Sequence, residues 1–119
     1  MSDAGLTDSQ LLELRTALVE KRNALLRQIT RETQAMTTAV GGEAELMDQA
    51  EQARELDDRA QRNVRENVLL EELDAALRKI EDGSYGLSED SGEPIGFGRL
   101  RALPWARRTA REEEEIERG

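Results

Sequence analysis

The sequence predicts a mainly α protein: a long antiparallel two-helix coiled-coil hairpin, a small C-terminal module and a final helix. Three observations point there. Leucines recur at threes, fours and sevens through most of residues 11–80, the spacing of one apolar stripe along a helix. Two adjacent glycines, Gly41 and Gly42, interrupt that stripe. Aromatic residues make up only 3% of the 119-residue chain, with one Trp, one Tyr and one Phe. So little aromatic mass does not fill a thick globular core, but it is compatible with a narrow Leu/Ala/Val seam between helices. A composition with 36% charged residues also suits disorder; the regular leucine spacing argues against it.

The first helix begins at a recognisable signal. Thr7 can cap the N–H of Gln10 while Gln10 reaches back to Thr7, and Leu6 and Leu11 are placed as a hydrophobic staple around them. Leu11, Leu14, Leu18, Leu25, Ile29 and Met36 then form one stripe to about residue 38. Val40-Gly41-Gly42 lowers helix propensity and permits a reversal. A second stripe follows: Leu46, Ala50, Ala53, Leu56, Ala60 and Val64, then Leu69, Leu70, Leu73, Leu77 and Ile80. Folding about the two glycines sets Met36 near Met47, Ile29 near Arg54 or its neighbours, and Leu14 near Leu69. The alanines imply a thin, closely packed distal seam, and the leucine-rich 69–80 segment a thicker base against residues 11–18. Gly83 stands where a helix C′ residue belongs. Beyond it, glycines at 83, 86, 92, 96 and 98 with Pro94 read as a tight β-hairpin or irregular turn module. Pro104-Trp105 leads into the final helix. The division is therefore 1–82 for the N-terminal segment and hairpin, with its tip at about 37–50, and 83–119 for the module and last helix.

Composition removes several classes of function. With no Cys and no His, disulfides, thiol redox chemistry, cysteine–zinc sites and imidazole catalysis are excluded. A carboxylate-only site would favour Mg or Ca over Zn. The net charge of −9 disfavours a general nucleic-acid binder, which needs a basic footprint. No apolar run approaches a membrane span and the N-terminus is not a signal peptide, so a cytoplasmic location is expected.

Ser88-Glu89-Asp90-Ser91-Gly92 has the spacing of a zinc knuckle with serines at both ligand positions, and serine hydroxyls do not hold structural zinc. The surrounding run, ALRKIEDGSYGLSEDSGEPIGFGRLRALP from Ala76 to Pro104, resembles the C-terminal signature of the DksA/TraR family of bacterial transcription regulators. That signature has a helix ending in I/V-E-D-G-x-Y/F-G, then C-x-x-C-G-x-x-I, then R-L-x-A-x-P, and the resemblance extends over nearly the whole chain. It places the four zinc-ligand positions on Ser88, Ser91, Thr109 and Glu112, all replaced, so no zinc is expected. A substitute for the metal's folding free energy is then needed. The candidate is an apolar cluster of Tyr85, Ile95, Phe97, Leu100, Leu103, Trp105 and Ile116, expected to matter more than serine hydrogen bonds or the Arg108/Glu112 and Arg111/Glu115 spacings.

The same resemblance sets the family's tip motif, D-x-x-D-x-A, on Glu45-Leu46-Met47-Asp48-Gln49-Ala50. It implies direct binding to RNA polymerase, with the hairpin inserted through the secondary channel towards the active centre. Asp48, Glu45 and Ala50 are the implied tip contacts, and Arg65 an implied binding residue on the arm. Read from the residues alone, Asp48 is a helix-start carboxylate and Arg65 a solvated charge. Regulators that respond to guanosine tetraphosphate carry basic residues where this chain has Glu72 and Leu103, so synergy with that nucleotide is expected to be weak or absent, unless Arg99, Arg101 or Arg107 compensates. The five arginines of residues 94–111 read either as a docking patch for an acidic polymerase surface or, the favoured account, as neutralised by Glu112 to Glu115 of the same molecule. The reading is a non-enzymatic, monomeric regulator of transcription initiation without specific DNA recognition. The alternatives are a cleavage-stimulating polymerase auxiliary using tip carboxylates, or a structural coiled-coil adaptor.

Overall fold

The computed structural model describes residues 3–39 and 48–119, residues 36–39 by their backbone only. Gly41-Gly42, Glu45, Leu46 and Met47 lie outside the described residues, as does the side chain of Met36. The described residues form four helices in order: α1 Asp8–Ala39, α2 Gln49–Asp82, α3 Phe97–Ala102 and α4 Ala110–Arg118. None among the described residues is long and apolar enough to cross a membrane. The chain divides into two compact units, one of residues 1–22 with 71–119 and the other of residues 23–70. The boundary crosses α1 and α2 within their lengths.

The first unit holds a core of Leu14, Leu18, Leu73 and Leu100, all fully buried, joined by Ala4, Leu6, Ala76, Tyr85 and Ile95. α1 starts as its capping box dictates: Thr7 N–H donates to Gln10 Oε1 at 3.0 Å, and Gln10 N–H to Thr7 Oγ1 at 3.1 Å. α2 ends at Gly83, whose φ of 86° needs no Cβ, and the N–H groups of Ser84 and Tyr85 both return to the Lys79 carbonyl. The turn module is irregular, with a single antiparallel bridge between Leu87 and Pro94. Tyr85 is buried and its hydroxyl donates to the Pro104 carbonyl at 2.8 Å; burial pushes the phenol's pKa upward. The N-terminal segment closes on the module at Gly86, where a Cβ would stand 2.8 Å from that of Ala4.

Two expectations are corrected here. Phe97 opens a short helix, α3, rather than ending a turn. Ile116 is exposed and takes no part in the apolar cluster. Phe97, Leu103 and Trp105 are half-buried around it.

In the second unit, α1 and α2 run antiparallel. Gln28 Nε2 donates to Glu66 Oε2 at 3.1 Å, and Arg62 lies 3.8 Å from Glu32, so partner numbers fall on α2 as they rise on α1. This register corrects the pairing of Ile29 with Arg54: the residue next to Ile29 meets Glu66. The composition of the seam is corrected as well. Leu25 is buried on α1, but on α2 Leu56 and Val64 are 63% and 62% exposed, and Ala50, Ala53 and Ala60 face water too. Gln52, Glu55 and Arg59 are half-buried, and Glu66 is buried. The distal seam is polar, not a thin alanine zipper.

Candidate functional site

Asp48 immediately precedes α2, in the second unit, at the end where α1 stops. Its Oδ1 accepts the Glu51 N–H at 2.8 Å while its carbonyl accepts that of Gln52. It is thus the N-cap, satisfying a helix donor that otherwise lacks a partner. The carboxylate is exposed, as are Ala50 and Arg65. Capping fixes where the charge sits and leaves its outer oxygen surface to water. Glu45, the other tip candidate, falls outside the described residues.

The four metal-ligand positions of the first unit do converge, and they bond to one another. Ser88 is buried; its hydroxyl donates to Glu112 Oε1 at 2.6 Å and accepts the N–H groups of Asp90 and Ser91 at 3.1 and 3.3 Å. Glu112 Oε1 also accepts the Thr109 N–H at 2.8 Å, while Glu112 N–H donates to Thr109 Oγ1 at 3.2 Å. Thr109 and Glu112 thus form the capping box of α4. Ser91 joins through Ser88, and its hydroxyl also contributes to the field at Glu112. These bonds, led by that of Ser88, hold the Glu112 carboxyl at about 2, well below its ordinary 4.5.

Ion pairs flank this node, and their acids are Glu89 and Asp90 as well as the expected Glu112–Glu115 run. Glu89 Oε1 receives Arg107 Nε at 2.8 Å and Lys79 Nζ at 2.7 Å, and its backbone N–H donates to the Arg107 carbonyl. The Arg107 hydrogen bond, with help from Lys79, lowers the Glu89 carboxyl to about 2. Arg108 Nε meets Asp90 Oδ2 at 2.9 Å and its Nη1 lies 3.5 Å from Glu113. The expected Arg108/Glu112 pair is therefore replaced, whereas Arg111 does reach Glu115 at 3.6 Å on the surface. A signal was present in the chain: two acids between the serines, two arginines just before Thr109. Three links, Ser88–Glu112, Glu89–Arg107 and Asp90–Arg108, tie residues 88–90 to 107–112 where a metal would.

No protein-family model matches the chain. Among curated proteins, it is 32% identical over 113 residues to the RNA polymerase-binding transcription factor DksA of Caulobacter vibrioides, covering 95% of this chain and 80% of that one. The chain belongs to the DksA family. It is also 34% identical over 117 residues to general stress protein 16O of Bacillus subtilis, covering 94% of this chain and 71% of the relative. The solved structure of transcription factor DksA2 from Pseudomonas aeruginosa aligns over 99% of this chain and 91% of its own, with a TM-score of 0.76 and 27% identity. That of the RNA polymerase binding protein and transcriptional regulator Dks from Chlamydia trachomatis aligns at a TM-score of 0.56 and 28% identity, over 96% of this chain and 94% of that chain. The zinc that the family signature implies does not fit this member. Three hydroxyls and one carboxylate, already engaged with each other and with backbone amides, are not a zinc donor set.

Proposed function

We propose that this protein regulates bacterial transcription initiation by binding RNA polymerase directly, with the paired helices of the second unit entering the secondary channel and Asp48 directed at the active centre. One observation carries the reading: in a DksA-family chain, the aspartate of the tip motif stands exposed and held by a cap at the start of α2. An acidic surface suits entry into a basic-lined pore by electrostatic steering. Ala50 leaves room for close approach, and Arg65 is an exposed cation on the same helix. Regulation needs no chemistry by the protein itself; the capped carboxylate alters the field around the polymerase's own reacting groups.

Guanosine tetraphosphate adds little in this reading. Glu72 repels a phosphate, and Leu103 offers no charge. Arg107, which could compensate, is already held by Glu89 and feels Glu72 as well. Arg101 is exposed, 3.9 Å from Glu13.

The test is binding to core polymerase and transcription in vitro from a ribosomal-type promoter, with wild type and Asp48→Asn. Asparagine caps as well as aspartate, so the helix is preserved. The expected result is retained binding with regulation reduced about tenfold, a difference of about 1.4 kcal/mol, and a response that guanosine tetraphosphate leaves nearly unchanged. Absence of binding by the wild type would identify an adaptor, and robust Asp48-dependent RNA cleavage in backtracked complexes would identify a cleavage auxiliary. Either overturns the proposal.

A further inference from the structure

In the second unit the polar and apolar faces of α2 are exchanged relative to an ordinary coiled coil. Glu66 is 6% exposed; its Oε2 accepts from Gln28, while its Oε1 is buried and meets no N–H donor. Burial, then a side-chain hydrogen bond shared with Glu32 and that group's charge, raise its pKa. Glu55, Arg59 and Arg62 line a hollow with Glu32 and Ala35. Meanwhile Leu56, Val64 and Val68 stand in water. Local pattern and packing disagree along this stretch, and such disagreement marks strained or functional sites.

The two faces are related by a single residue. Ala53 follows Gln52, Leu56 follows Glu55, Ala60 follows Arg59, and Leu70 follows Leu69. One residue turns an α-helix by about 100°, so a one-residue slip exchanges the polar row for the apolar one. A single 3₁₀ turn between Leu70 and Leu73, with fewer residues per turn and a larger rise, absorbs the missing residue. In the slipped arrangement Asn63 and Asn67 replace Arg62 and Glu66, and asparagine is tolerated at a coiled-coil seam. Leu69 and Leu70 are both half-buried, so that pair serves either arrangement.

We propose that α2 of the second unit has two registers against α1: the polar one described here, and a second, offset by one residue, in which Leu56 and Ala60 enter the seam and Glu66 is released to water. The second register parts the buried Glu66 carboxyl from that of Glu32 and covers apolar surface; the first keeps the Gln28–Glu66 hydrogen bond and the Glu32–Arg62 ion pair. Terms of opposite sign and similar kind leave the two close in free energy. The inference concerns residues 23–70 alone and does not depend on the polymerase reading.

Because the chain has no cysteine, engineered pairs report each register cleanly in the full-length protein. Ala35→Cys with Arg59→Cys reads the polar register, Ala35→Cys with Ala60→Cys the slipped one, and Ala35→Cys with Gln61→Cys the outward face. Disulfide formation is followed in a glutathione buffer, with helicity checked by circular dichroism. A slipped population of roughly 10% makes the Ala60 pair close about tenfold more slowly than the Arg59 pair, yet well ahead of the Gln61 pair. Adding Leu56→Glu or Glu66→Leu slows the Ala60 pair without slowing the Arg59 pair, whereas Leu56→Met leaves both rates unchanged. Closure of the Ala60 pair no faster than the Gln61 pair, or indifferent to Leu56→Glu, would overturn the proposal; fraying alone predicts the second pattern.

Discussion

Ser88 joins the turn module to α4 through one hydroxyl. It lies buried between the turn and α4, donating to Glu112 and accepting two backbone N–H groups. Ser88→Ala removes all three partners at once and leaves two amides to find water. Deleting a buried hydrogen-bonding group of this kind costs about 1–2 kcal/mol, so the thermal midpoint is expected to fall by about 3–8 °C, measured by Trp105 fluorescence. A change within error would show that the node contributes nothing. The family resemblance sets Ser88, Ser91, Thr109 and Glu112 on the ligand positions, but says nothing of how they bond. The i,i+4 spacing suggested Arg108/Glu112, yet Arg108 precedes the N-cap Thr109 and has no helical geometry relative to Glu112. The N3 carboxylate turns back to its cap instead, as a capping box requires.

At the scale of an element, α1 and α2 differ in how well their patterns predict their packing. α1 begins at its capping box and buries Leu14, Leu18 and Leu25, all on the stripe that leucine spacing traces. α2 follows its pattern at Leu73, buries Ala76 where the pattern has Leu77, which is half-buried, and departs from it through residues 52–66. There the apolar row is short in side-chain volume, two alanines among four residues, and the charged row finds partners on α1. Periodicity counts apolar positions and does not weigh cross-helix ion pairs, so it does not predict the polar distal seam. α3 escaped notice because Gly96 and Gly98 flank Phe97, and Gly96 supplies no side-chain cap. The buried carboxylate gives the sharpest expectation at this scale. Glu66→Leu is expected to stabilise the protein by about 1 kcal/mol in urea titration at pH 7, since apolar replacement of a poorly satisfied buried charge often stabilises. Leu56→Gln, on the exposed side, is expected to stay within about 0.5 kcal/mol of wild type. A destabilising Glu66→Leu would mean that the Gln28 hydrogen bond outweighs the cost of burial.

Across the whole molecule, acid acts with opposite sign on the two units. Glu89 and Glu112, in the first, titrate near 4.5 when unfolded and about 2 when folded. In that interval the folded chain binds fewer protons, so their contribution is complete above about 4.5 and is lost as pH falls towards 2. Glu66, in the second unit, has its folded pKa raised above 4.5 by burial and Glu32. The folded state there keeps a proton that the unfolded chain has released, so its contribution is favourable below 4.5 and is lost as pH rises through the folded value. Trp105, the single tryptophan, lies in the first unit with Lys21 Nζ 5.8 Å from its ring, whereas helical ellipticity reports both units. At pH 7 the two probes are expected to give matching urea midpoints. At pH 3 the tryptophan midpoint should fall below the ellipticity midpoint, because the ion pairs of the turn module weaken while the Glu66 seam tightens. Glu89→Gln should lower the tryptophan midpoint at pH 7 and flatten its decline between about pH 4.5 and 2, having no carboxyl left to protonate. Coincident midpoints at pH 3 would mean that the two units unfold as one cooperative body, with the Glu66 gain too small to separate them.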